Sequence, residues 1–195
     1  MFAKKRHNVA FAWTSVIAVV VFIISWVGAM TQNPSWTIWT DTFSELGMST
    51  AVSNYLFNIG CCMIPAVFFM IFGGACVMYT GNRDTAFTGL FVILAGIAMF
   101  FIGIFPTDVS VVHMYAAVLM GVFGFVGLCI YAVRAWNRGY MYACGISVML
   151  AVIGVFSLFF FGFAAAEAVG LVFVTVLSVF GAKEMMFLKP AEGGA

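Results

Sequence analysis

Four acids and one histidine carry the chemical interest of this chain: Asp41, Glu45, Asp108, Glu167 and His113. Two amides join them, Asn54 and Asn58, whose i, i+4 spacing puts both on one face of a helix. Carboxylates with an imidazole can hold a hard divalent ion such as Mg, Mn or Zn. The same groups can do general acid–base work, with His113 or a buried acid moving a proton on a bound substrate. The residue types permit both and select neither. Ser44, beside Glu45, is a nucleophile candidate without a base, and the chain has neither a GxSxG elbow nor an HExxH pair. The candidates are therefore Glu45, Asp108, His113 and Glu167 for catalysis and Ser44, Asn54 and Asn58 for ligand binding. A divalent metal is the cofactor these types would admit.

Each candidate also has a structural reading. Thr42 to Glu45 reads Thr-Phe-Ser-Glu, a capping box, and Trp36, Trp39, Phe43 and Leu46 recur at helical spacing, so an amphipathic interfacial helix closed by Gly47 accounts for this stretch. Asp108 or Ser110 can cap a helix that begins just after them, and His113 can hydrogen-bond a neighbouring loop. Glu167 has no cap position to explain it if the chain turns at Phe161-Gly162-Phe163. A later turn would return it to water.

The elements that must position these groups are membrane helices. Of 195 residues, 65% are hydrophobic and only 15 are charged, 8 basic and 7 acidic. A soluble domain carries about a quarter of its residues as charge, and six spans of about 20 residues would use roughly 120. Disorder is excluded by the same composition, and a net charge of +1 without a basic tract argues against nucleic-acid binding. Apolar runs fall at about 9–30, 52–79, 86–105, 110–133, 141–161 and 164–186. The expectation is one all-α domain of six transmembrane helices, with the interfacial helix between the first two. The N-terminal apolar run exceeds the 7 to 15 residues of a signal-peptide core and reads as an uncleaved span.

Lys4, Lys5, Arg6, Arg83, Arg134, Arg138, Lys183 and Lys189 all fall at one end of these spans. Basic residues mark the cytoplasmic side, so both termini are expected to be cytoplasmic in a multi-pass protein of the cell membrane, with the candidate residues at the outer face. Tryptophan and tyrosine fall at both ends, as interfacial belts do. The five cysteines all lie inside spans, without a CxxC pair, and read as small buried hydrophobes.

Helices in lipid associate through small residues. Gly89, Gly96 and Gly103 repeat every seven residues, Ala117, Gly121 and Gly124 line the fourth span, and Ala166 with Gly170 forms a small-xxx-small pair in the sixth. These faces should make the bundle interior, and they would also admit a second copy or a membrane-embedded partner. Pro65 removes a helical hydrogen bond and should kink the second span.

The stretches Phe43-Ser44-Glu45-Leu46-Gly47, Asn54 to Asn58 with Gly60, and Gly103-Ile104-Phe105-Pro106 with His113 resemble an archaeal and bacterial family of six-span proteins catalogued as domain of unknown function 998. The resemblance covers roughly residues 9–182. It implies the six-helix fold and the same polar positions, and it implies no activity. A looser likeness to membrane hydrolases of the alkaline ceramidase and adiponectin receptor type fails at their zinc site, which needs three histidines. Here His113 alone is on the relevant side.

If the bundle closes in the ordinary way, Glu45, Asn58, Asp108, His113 and Glu167 converge on an outward-opening pocket. The function expected is then handling of a lipid or other amphiphile by an enzyme or a binding protein, with membrane lipids as partners. The alternatives are a small transporter, disfavoured by the few polar residues in the inner halves of spans three to five, and a structural subunit of a membrane complex.

Overall fold

Apolar runs of this length can only cross hydrocarbon as helices, because every peptide group must then bond within the chain. The computed structural model describes residues 2–37, 40–48, 50–79, 83–108, 110–160 and 162–187, with side chains except at 2–8, 84, 162–166 and 187. Trp39, Phe161, Lys189 and the side chains of Lys4, Lys5 and Arg6 lie outside the described residues. Six helices are long and apolar enough to span a membrane. They are α1 (Phe2–Thr31), α2 (Ala51–Tyr79), α3 (Arg83–Ile104), α4 (Val111–Asn137), α5 (Met141–Phe160) and α6 (Gly162–Phe187). The chain is an all-helical multi-pass membrane protein.

Local chemistry sets the helix ends. Asn33 donates from its side-chain amide to the Ala29 carbonyl at 2.9 Å, which satisfies an orphan acceptor where α1 stops before Pro34. Thr50 caps α2 by accepting the Ser53 N–H at 3.1 Å. Ser110, rather than Asp108, caps α4 by accepting the Val112 N–H at 3.1 Å. Gly139 takes a φ of 75° in the turn to α5, a conformation that favours glycine.

Helix α2 changes winding where proline is expected to disturb it. Residues Tyr55–Met63 form a π-helical stretch, and ordinary α-helix resumes at Ile64, whose N–H bonds the Ile59 carbonyl five residues back. Pro65 lacks an N–H and its ring crowds the preceding turn, so the helix widens ahead of it.

Helix α1 packs on α2 and α6, α2 on α3, and α3 on α4, while α5 packs on α4 and α6. The heptad glycines of α3 allow its close approach to α2. A Cβ at Gly89 would stand 2.6 Å from the Gly73 carbonyl, and one at Gly103 would stand 2.5 Å from the Asn58 carbonyl. Between α1 and α2 the expected amphipathic helix is one 3₁₀ turn, Phe43–Gly47. It is more buried than an interfacial helix, with Phe43, Ser44, Leu46 and Gly47 all covered. Its Phe43 ring packs with Trp26 and Trp36 in edge-to-face and tilted arrangements, ring centroids 5.3 to 6.4 Å apart.

Helix α4 continues through Asn137 rather than ending at 133, so Arg134 is not in a loop. It is 2% exposed and pairs with Glu184 of α6. Loss of one partner from a buried pair strands a charge and costs about 3–5 kcal/mol, whereas an apolar pair of similar volume is often neutral. Arg134→Met alone should therefore sharply lower the unfolding temperature in detergent, and Arg134→Met with Glu184→Leu should recover most of it. A double variant no more stable than the single one would contradict the pairing.

Candidate functional site

At the end of the bundle holding the 32–50 connection, buried backbone meets side chains sent from the helices. Ser53 donates to the Leu46 carbonyl at 2.5 Å and accepts from Asn33 at 2.6 Å. Asn54 and Asn58 both donate to the Gly47 carbonyl, at 2.6 and 3.3 Å. The indole of Trp36 donates to the Thr42 carbonyl at 2.9 Å, and Asp41 accepts the Thr37 N–H at 2.7 Å. From the far side of the bundle, Glu167 accepts the Phe43 N–H at 2.9 Å, with the N–H and hydroxyl of Ser44 beside the same carboxylate. Thr42 makes no side-chain cap to the 3₁₀ turn, so Glu167 supplies the acceptor at its N-terminus.

The sequence candidates are thereby divided. Glu167, Ser44 and Glu45 sit together around the 3₁₀ turn, with Glu45 half-buried next to Glu167. Asn54 and Asn58 adjoin them through Gly47. His113 stands apart on α4, 2% exposed, with Nδ1 2.8 Å from the Phe105 carbonyl that ends α3. A carbonyl only accepts, so Nδ1 carries a proton and donates it in this bond. Among the described residues neither His113 Nε2 nor Asn58 Oδ1 has a hydrogen-bond partner. Asp108 is exposed beyond the end of α3. Among the described residues no three His, Cys, Asp or Glu side chains group as a metal ion would require.

The cavity that meets this cluster is formed by α4, α5 and α6 and has a volume of about 280 Å³. Ala117, Gly121 and Phe125 supply one wall, Gly154 and Leu158 another, and Gly170 and Phe173 the third. Among the described residues Glu167 is the only ionisable group on its lining, and it is 8% exposed. The opening exists because small residues face one another: a Cβ at Gly121 would meet nothing within 4 Å, and one at Gly170 would meet only the Gly121 Cα at 3.9 Å. Helix α5 is held close elsewhere, with the Phe173 ring seated directly on Gly154. A smaller void of about 20 Å³ on the other side of Glu167 is lined by Phe43, Phe57 and Cys62, among others. Glu167 thus stands between an apolar cleft, the bundle core and the buried connection.

Chemically, the cleft offers hydrocarbon walls and one carboxylate. A charge desolvated in a span is costly, commonly a few kcal/mol, and such residues face the bundle interior or a cavity. Glu167 does both. Sequence reasoning singled out Glu167 and missed Asn33, Ser53 and Trp36, whose polar atoms hold the connection. Their signal was proximity to the span ends, which distinguishes no role. It also missed the cleft, which depends on how Phe173 lies against Gly154.

Residues 16–183 match a family model described as protein of unknown function (DUF998). Neither a curated protein nor a solved structure matches the chain.

Removal of the acceptor leaves the Phe43 N–H without its partner, at a cost of about 1–3 kcal/mol. Amide exchange at Phe43 should accelerate by about tenfold to a hundredfold in Glu167→Ala and stay near the parent rate in Glu167→Gln, which keeps a carbonyl acceptor. An unchanged rate in the alanine variant would remove Glu167 from this role.

Proposed function

The chain belongs to the DUF998 family of proteins of unknown function, and we propose that it binds the hydrocarbon part of a membrane amphiphile between α4, α5 and α6. The observation that carries this reading is the composition of the cleft. Its walls are aliphatic and aromatic, and its one carboxylate marks where a polar head would rest. Ligand pockets are largely apolar, with a few placed polar groups that fix orientation. With the basic residues on the cytoplasmic side, the Glu167 end faces outward and the cleft lies in the outer half of the membrane.

Binding is favoured over hydrolysis. His113 hydrogen-bonds a backbone carbonyl and does not line the cleft, and Asp108 is exposed, so Glu167 has neither of them as a catalytic partner there. Helix α5, which packs on α4 and α6, forms the wall nearest lipid, and most of its side chains face outward. Entry from the bilayer beside α5 is the shortest route for a chain already dissolved there.

Gly121→Leu adds a side chain where the cleft is open and improves helix propensity. The variant should fold with the parent's helical content and unfolding temperature. It should also lose at least tenfold of the photolabelling of α4 and α6 by a diazirine-bearing long-chain alcohol in phosphatidylcholine nanodiscs. Retained labelling at Val118, Val122 and Phe173 in a folded Gly121→Leu variant would refute the cleft as the binding place.

A further inference from the structure

The wall chemistry and the charge distribution together restrict the head of the ligand, on the premise that the cleft binds an amphiphile. Among the described residues Glu167 is the single ionisable one lining it, and Glu45 adds a second carboxylate close by. Asp41 and Asp108 fall at the same end of the bundle, while all eight lysines and arginines fall in sequence at the other. On the helices that build the cleft the basic residues are Arg134, already paired with Glu184, and Lys183, with Arg138 just past the end of α4, and all three fall in sequence at the opposite end of these helices from Ser110, His113 and Glu167. Among the described residues of the cleft wall none could neutralise a phosphate or carboxylate head. A carboxylate accepts hydrogen bonds and attracts cations, and its field is strong beside hydrocarbon, where water screens little.

We propose that the α4–α5–α6 cleft selects a cationic amphiphile, a long-chain amine whose ammonium group rests against Glu167. One carboxylate oxygen already accepts from Phe43 N–H. A carboxylate has about four acceptor positions, and with the Ser44 N–H and hydroxyl also beside this one, an ammonium group would take the position left open without displacing the connection. The hydrocarbon chain then extends from Glu167 past Ala117 and Gly121 toward Phe125 and Phe173. The acidic end attracts such a ligand before contact and repels anionic lipid heads, which supplies selection against the commonest negatively charged amphiphiles of a membrane.

The test compares three photoreactive probes with the same twelve-carbon chain and terminal diazirine, an amine, an alcohol and a phosphate monoester, in phosphatidylcholine nanodiscs holding the full chain. The expected result is labelling of cleft residues by the amine at least tenfold above the phosphate, with the alcohol between them. In Glu167→Gln, which keeps an acceptor for Phe43, the amine's advantage over the alcohol should fall below about threefold. Equal labelling of the cleft by all three probes, or an amine preference that survives Glu167→Gln, would overturn the inference while leaving the cleft as a hydrocarbon site. Absence of cleft labelling by every probe would overturn the binding reading beneath it. The comparison among probes on the parent chain decides the matter even if the glutamine variant does not fold.

Discussion

A peptide group inside hydrocarbon must find its hydrogen-bond partner within the protein, and the arrangement at one end of this bundle follows from that constraint. The connection between α1 and α2 folds inward onto Trp26, and side chains satisfy several of its backbone groups, the Thr37 N–H by Asp41 among them. Trp36 serves Thr42, Ser53 serves Leu46, Asn54 and Asn58 serve Gly47, and Glu167 serves Phe43. The last is the longest-range of these bonds, since it ties α6 to a turn 124 residues earlier in the chain. It also fixes a carboxylate at the point where the α4–α5–α6 cleft meets the core.

The same rule explains why polar residues that looked chemical from their types are largely structural in their contacts. Asn54 and Asn58 at i and i+4 do share a helix face, as their spacing required. That face points at the Gly47 carbonyl, and a Cβ on Gly47 would stand 2.8 Å from Asn58 Oδ1. His113 ends α3 by donating to Phe105, in line with the loop-bonding alternative for it. Ser110 takes the cap position that Asp108 could also have filled. What periodicity and residue type cannot supply is direction across the bundle, and each of these roles is a matter of which helix lies opposite.

The six spans were readable because their length and lack of charge have few other solutions. The glycines at 89, 96 and 103 were readable for the same reason, since a heptad of small residues makes one continuous face, and α2 fills it. Arg134 was misread because a basic residue near a span end resembles a topology marker, and only the extra turn of α4 brings it inside to Glu184. The cleft was illegible. Gly121, Gly154 and Gly170 have the same composition as the glycines that pack tightly, and the difference is that the Phe173 ring occupies Gly154 and leaves Gly121 facing open space. Small residues permit close approach without enforcing it, so the same motif builds a contact at α2–α3 and a cavity at α4–α6.

The central claim is that this cavity is a place for hydrocarbon ending at Glu167. An experimental density map of the chain in a lipid bilayer tests it most directly. The account predicts elongated density between Gly121 and Leu158, with one end within hydrogen-bond distance of the Glu167 carboxylate. A map in which α5 has closed onto α4, leaving no space beside Gly121, would contradict it.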